Sequence, residues 1–242
     1  MQNEGRAMRA LGRKMIGIIG AMDSEINELK ENIANLKTEN ISGINFYSGN
    51  IFGKEVVVAK SGIGKVFAAM CAQTMIIKYN LKKIIHIGIA GSLVSDLSVH
   101  EVAIASSVVQ HDYDQTAFDL PKGLVQGLDD INIKCDETMV SDLVKCAEKL
   151  NINYKVGVIV SGDQFIIDTN KKQNLAKDFN AIAAEMEGAS TGQVCQVNKV
   201  SFAVIRAISD GSDDSTETYK NAKQSASDVS TQVLLEYIKE SM

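Results

Sequence analysis

The sequence predicts an α/β fold, a single domain whose central sheet is largely buried between helices. Three observations predict it. From Met15 onward, short apolar runs alternate with segments of helical periodicity. Several runs are near-continuous Val, Ile and Ala, as strands covered on both faces require. No repeat, low-complexity linker or compositional break divides the chain.

The elements follow in order. Met15–Gly20 (MIGIIG) reads as a buried strand, and a helix is expected near Asp23–Leu36. Glu55–Lys60 (EVVVAK) is a second clear strand. Gly64–Tyr79 has helical periodicity, with Met70 and Met75 expected in the core. Lys83–Gly88 (KIIHIG) and Glu101–Val109 are strands, and Thr138–Leu150 is an amphipathic helix. Lys155–Val160 is a strand, Lys171–Phe179 a short helix and Ala181–Ala184 a strand. Glu187–Gln196 is helical, Ser201–Ala207 a strand and Lys220–Ser241 the last helix. The irregular stretch is His111–Asp130, a long connection of the kind that is usually functional or mobile. Residues 1–14 are polar and basic and are expected to form a disordered extension, leaving 15–242 as the domain.

Composition removes several functions. The chain has 242 residues, 25 basic against 30 acidic, for a net charge of -5. An acidic body does not suit a nucleic-acid partner, whose affinity comes from neutralising phosphates. No apolar run approaches the roughly 18–20 residues of a membrane span, so no membrane partner is expected. Four widely separated cysteines, with no CxxC, point to reduced thiols in a cytoplasmic setting and give no zinc site. Only four of the basic residues are Arg, and three of those (Arg6, Arg9, Arg13) lie in the first fourteen residues. The body keeps Arg206 alone.

In an open α/β sheet, ligands bind beyond the carboxyl ends of strands. Carboxylates gather at such ends here: Glu25 after the first strand, Glu185 and Glu187 after Ala181–Ala184, and Asp210 after Ser201–Ala207. Singly, each reads more often as a cap or surface acid; together they suit proton transfer and sugar-hydroxyl binding. Gly62-x-Gly64 and Gly88-x-x-Gly91 read as glycine turns. Neither is a dinucleotide fingerprint or a P-loop, since Lys65 is not followed by Ser or Thr. His86 falls inside a strand and reads as packed core. His111-x-x-Asp114 lacks a second His and reads as a structural hydrogen bond rather than a metal site.

Six segments carry a resemblance: MIGIIGAMDSEI, KSGIGKVFAA, HDYDQTAF, IVSGDQFI, AAEMEGAS and VIRAISD. Their order and spacing resemble those of bacterial 5′-methylthioadenosine/S-adenosylhomocysteine nucleosidases, over about residues 15 to 240. The resemblance implies a nucleoside phosphorylase-like fold with a mixed, twisted central sheet, assembled as a homodimer. It implies hydrolysis of adenosine thioethers to adenine and a 5-thioribose, in methionine recycling, with no metal or organic cofactor.

It also implies roles. Asp210 matches the general acid at adenine N7, with Ser209 beside it, and Glu25 matches the carboxylate that activates water. Glu187 matches the ribose-hydroxyl ligand, with Met186 beside the sugar. Phe165 matches the aromatic stacked on adenine. Ile166 matches the position whose backbone reads the purine edge. Met22 and Ile63 match apolar contacts to the sugar and thioalkyl group. Phe118 matches a residue lent by the partner subunit. The chain departs from the pattern at Ile89, where the family commonly has a small hydroxyl residue, so Asp210 needs another partner, Ser209 or water. The segment after Asp210 is polar and short, with Tyr219 as a candidate lid aromatic.

Rival readings are a phosphorylase, a non-catalytic nucleoside-binding homologue, and futalosine-type or AMP nucleosidases. Phosphate, as nucleophile or as 5′ substituent, calls for Arg forks. The single Arg of the body therefore favours water, while the intact acid set favours catalysis over mere binding.

Overall fold

The computed structural model describes residues 15–211 and 216–241, so the expected extension at 1–14 lies outside the described residues. Ten strands and six α-helices follow one another among them. The order is β1 (Ile16–Gly20), α1 (Asp23–Glu31), β2 (Ala34–Ile41), β3 (Ile44–Ile51), β4 (Lys54–Lys60), α2 (Lys65–Tyr79), β5 (Lys83–Ser92) and β6 (Val102–Gln110). A short 3-10 turn at Thr116–Phe118 interrupts the long connection before β7 (Ile133–Lys134). Then come α3 (Glu137–Lys149), β8 (Tyr154–Ser161), α4 (Thr169–Phe179), β9 (Ala181–Glu185), α5 (Gly188–Asn198), β10 (Ser201–Asp210) and α6 (Thr216–Glu240).

All ten strands join one mixed sheet, in the order β10-β6-β8-β9-β5-β1-β4-β3-β2, with β7 on β6. β1 pairs parallel with β4 and β5, while β5 pairs parallel with β10 and antiparallel with β9. Because β10 also pairs with β6, strands β10, β6, β8, β9 and β5 form a closed circuit. β5 is the hinge of this arrangement, shared between the closed part and the open wing that ends at β2.

Alternation along the central strands sends side chains to two cores. Ile19, Ile84 and Val204 pack with Met75 and Cys71 of α2 and Cys195 of α5. Ile18, Ile85 and Ile205 pack on the other face with Leu29 of α1, Leu143 of α3 and Leu234 of α6. Each fully buried Ile contributes on the order of 1.5–3 kcal/mol, which is why these runs are strands sandwiched between helix layers.

Three sequence expectations are corrected. The first helix stops at Glu31 rather than Leu36, and residues 34–51 form the β2–β3 hairpin. β2 is an exposed edge carrying Lys37 and Glu39, so it has no apolar alternation to betray it. Ser42 and Gly43 turn it with positive φ, a two-residue hairpin signal present in the sequence. Second, Met70 is exposed while Met75 is core, because α2 is apolar on both sides and periodicity cannot choose between them. Third, Gly88 and Gly91 lie inside β5 rather than in a turn, and neither has positive φ.

Candidate active site

Strand ends converge on one cleft. Met22, Glu25, Ile63, Phe165, Ile166, Met186, Glu187, Ser209 and Asp210 all line it, joined by Ile89, Gln164, Glu185 and Tyr219. Phe118 does not; it sits on the 3-10 turn and is 75% exposed.

The first turn of α1 seats Glu25. Its Oε2 accepts the backbone N–H of Ala21 at 2.6 Å and of Met22 at 2.9 Å, and its Oε1 that of Ile89 at 3.2 Å. Reaching back to the residue that opens the helix is half of a capping box, so helix formation and placement of the acid are one event. Burial raises the Glu25 pKa, against the Arg206 charge and the three amides, which lower it. A carboxylate so poised can accept a proton.

The β9–α5 junction supplies two more acids with different jobs. Glu185 accepts from the Ser161 hydroxyl, from the amides of Glu187 and Gly188, and from the Arg206 guanidinium. It is saturated, and acts to hold Arg206 and the turn. Glu187 takes the Gly64 amide at 2.8 Å on Oε1, which leaves acceptor capacity for a ligand. Gly64 can present that amide because its φ of 100° suits glycine. Burial and the Glu185 charge push Glu187 up to about 8.

A stability prediction follows from Glu187. Between its ordinary 4.5 and about 8, the unfolded chain releases a proton that the fold retains. This contribution is present in full below 4.5 and is lost as pH rises through about 8. The thermal midpoint is therefore expected to fall across that window, and Glu187→Gln to flatten the slope. Midpoints measured from pH 5 to 9 check it; an unchanged slope in Glu187→Gln refutes the assignment.

Asp210 closes β10. The register between β10 and β5 shifts between Ile208 and Asp210, setting Asp210 beside Gly91. The Ser209 hydroxyl donates to its Oδ1 at 2.9 Å, and Lys172 Nζ lies 3.0 Å from its Oδ2. Among the described residues Asp210 thus has two side-chain partners, the expected Ser209 and a lysine that the sequence hid in an amphipathic helix.

The glycines of β5 have a steric reason. A Cβ on Gly88 would sit 2.6 Å from Glu25 Oε1, and one on Gly91 would sit 2.8 Å from Asp210 Oδ2. Both vacate the space that a carboxylate fills. Phe165 and Tyr219 meet edge-on at 4.9 Å between centroids, and the Tyr219 hydroxyl lies 3.9 Å from Met22 Sδ. Tyr219, the candidate lid aromatic, thus lines the cleft.

The basic groups around the cleft have partners of their own. Arg206 is ion-paired to Glu185, Lys172 to Asp210, and Lys65 to Asp112 at 2.6 Å. His86 is fully buried, with Nδ1 2.9 Å from the Thr191 hydroxyl, and burial followed by the Arg206 charge holds its pKa well below normal. His111 departs from expectation. Its ring packs on Gly162 with Nε2 lacking a hydrogen-bond partner among the described residues, while Asp114 caps Thr116 instead. Among the described residues no group of three or more His, Cys, Asp or Glu is arranged to hold a metal ion.

The family model described as the phosphorylase superfamily matches residues 15–239. A 5′-methylthioadenosine/S-adenosylhomocysteine nucleosidase of Staphylococcus haemolyticus (strain JCSC1435) is 40% identical over 197 residues, 81% of this chain and 86% of that protein. The solved structure of such a nucleosidase from Neisseria meningitidis, in complex with methylthio-immucillin-A, has a TM-score of 0.91 at 31% identity, covering 94% of this chain and 100% of that one. Futalosine hydrolase of Helicobacter pylori strain 26695 also has a TM-score of 0.91, at 34% identity, covering 96% and 100%. With its mixed sheet, its strand-end acids and these relatives, the chain belongs to the phosphorylase superfamily and, within it, to the family of 5′-methylthioadenosine/S-adenosylhomocysteine nucleosidases.

Proposed function

We propose that this chain hydrolyses the N-glycosidic bond of 5′-methylthioadenosine and S-adenosylhomocysteine, releasing adenine and a 5-thioribose. One observation carries the reading: three acids from different strand ends, Glu25, Glu187 and Asp210, line one cleft whose other walls are largely apolar. Asp210 protonates the purine as the C1′–N9 bond breaks. The sugar gains oxocarbenium character, which nearby carboxylates stabilise. Glu25 takes a proton from the attacking water, whose oxygen bonds C1′. Glu187 binds ribose hydroxyls, Phe165 stacks on adenine, the Ile166 backbone meets the purine edge, and Met22, Ile63 and Met186 pack on the sugar and thioalkyl group.

Water is preferred to phosphate because Arg206, Lys65 and Lys172 are each engaged by a carboxylate of the protein. A phosphate dianion would have to break one of those pairs. Adenine release followed by absorbance in phosphate-free buffer tests this; strict phosphate dependence overturns it. Likeness to futalosine hydrolase supports a second reading, in which the 5′ substituent is bulkier. A panel of methylthioadenosine, adenosylhomocysteine, 5′-deoxyadenosine and futalosine ranks the substrates.

The unit of function in this proposal is a homodimer in the cytoplasm, serving methionine recycling. Four buried free thiols and the absence of any described helix long and apolar enough to cross a membrane fit that setting. Val66, Phe67, Met70 and Ile77 leave an exposed apolar stripe on α2, as a subunit contact requires, and Phe118 is equally exposed for a partner's cleft. Ile77→Glu is expected to shift the mass toward one 26.2 kDa chain in light scattering and to lower activity in dilute solution. An unchanged dimer with full activity would place the contact elsewhere.

A further inference from the structure

Lys172 is buried to 1% exposure, a rare state for a lysine. It stands in the first turn of α4, anchored by Asp168, whose Oδ1 accepts the Lys171 amide at 2.7 Å. Among the described residues its ammonium makes two contacts, both at the end of β10. Nζ lies 3.0 Å from Asp210 Oδ2 and donates to the Gly211 carbonyl at 2.5 Å. A buried charge persists only where it is paired and hydrogen-bonded, and removing one partner leaves the other uncompensated.

We propose that Lys172 is a positioning residue for the glycosidic cleavage. Its ammonium holds one oxygen of Asp210 while Ser209 holds the other, so the carboxyl group presents a fixed edge to the leaving base. The Gly211 contact pins the backbone just past the acid, where β10 ends. The stretch from Phe165 to Lys172 also carries the wall on which the purine stacks, so one short segment sets the distance between base and acid.

The ammonium acts during the reaction as well as before it. Asp210 takes up a proton from solvent as substrate binds and passes it to the purine nitrogen, and the C1′–N9 electron pair leaves with adenine. Water oxygen bonds C1′, and its proton passes to Glu25. Negative charge then develops on Asp210 3.0 Å from a preorganised cation that water does not screen. Ser209 alone supplies no such charge.

The proposal rests on the hydrolase reading, and a double-mutant cycle separates the two. Lys172→Met, Asp210→Asn and the pair are compared by kcat, KM and thermal midpoint. Lys172→Met is expected to lower kcat about 10–100-fold, less than the 10²–10³ typical of a donor that touches the reacting atoms, with KM held within about threefold. In the Asp210→Asn background the same change is expected to alter kcat by less than about twofold, because the group it serves is already lost. Asp210→Asn keeps a contact to the ammonium but removes its counter-charge and lowers the midpoint; adding Lys172→Met raises it again. Should Lys172→Met not fold, Lys172→Gln, which keeps a donor without the charge, completes the same cycle. Wild-type kcat in the lysine variant, or losses that multiply independently, overturn the positioning role while leaving the hydrolase intact. A wild-type protein that releases no adenine overturns both.

Discussion

Asp210→Asn is expected to lower kcat by about 10²–10⁴-fold, the usual contribution of a general acid, with KM nearly unchanged. Adenine is a poor leaving group as an anion, so its departure depends on a proton. Asn is isosteric and can keep both contacts. Its amide oxygen accepts from Lys172 and its amide nitrogen donates to the Ser209 oxygen, in place of the carboxylate contacts at 3.0 and 2.9 Å. What it lacks is the proton to give. Steady-state adenine release, with substrate affinity measured separately by calorimetry, distinguishes the two parameters. Full turnover in this variant would remove Asp210 from the chemistry.

Glu25→Gln is the second large effect, again about 10²–10⁴-fold in kcat, yielding a protein that binds substrate without hydrolysing it. Here the scaffold also responds. Three backbone N–H groups converge on the two Glu25 oxygens. A glutamine must turn its NH₂ toward one set of donors, and the less costly choice is the single Ile89 amide at 3.2 Å. The unmet donor costs about 1–3 kcal/mol, so the thermal midpoint drops alongside activity. A variant with wild-type turnover would show that water is activated elsewhere; one that neither binds nor turns over would make Glu25 a structural anchor first.

The sequence made the α/β alternation and the strand-end acids legible because both are local: an apolar run followed by a carboxylate needs no knowledge of neighbours. The ordered motifs then pointed to the residues of the cleft. Legibility failed where meaning depends on contact across the fold. β2 is polar and exposed, so its strand character comes from pairing with β3 alone. Lys172 sits in a Lys-Lys pair on an amphipathic helix, indistinguishable by pattern from a surface charge. Arg206 was visible as the lone Arg of the body, but that Glu185 holds it emerges only when β9 and β10 are folded around the cleft. Gly88 and Gly91 were seen, yet a turn is the default meaning of glycine. Their actual neighbours are distant in sequence.

Those two glycines bear on how tolerance to mutation is distributed along the chain. Neither has a side chain or a charge, and neither touches the reaction in the proposed mechanism. Any substitution at Gly88 or Gly91 nonetheless places a carbon within 3 Å of a carboxylate oxygen, Glu25 in one case and Asp210 in the other. A saturation screen for loss of activity would therefore register each acid twice, at its own codon and again at a codon in β5, and the second signal would come from variants that change no catalytic group.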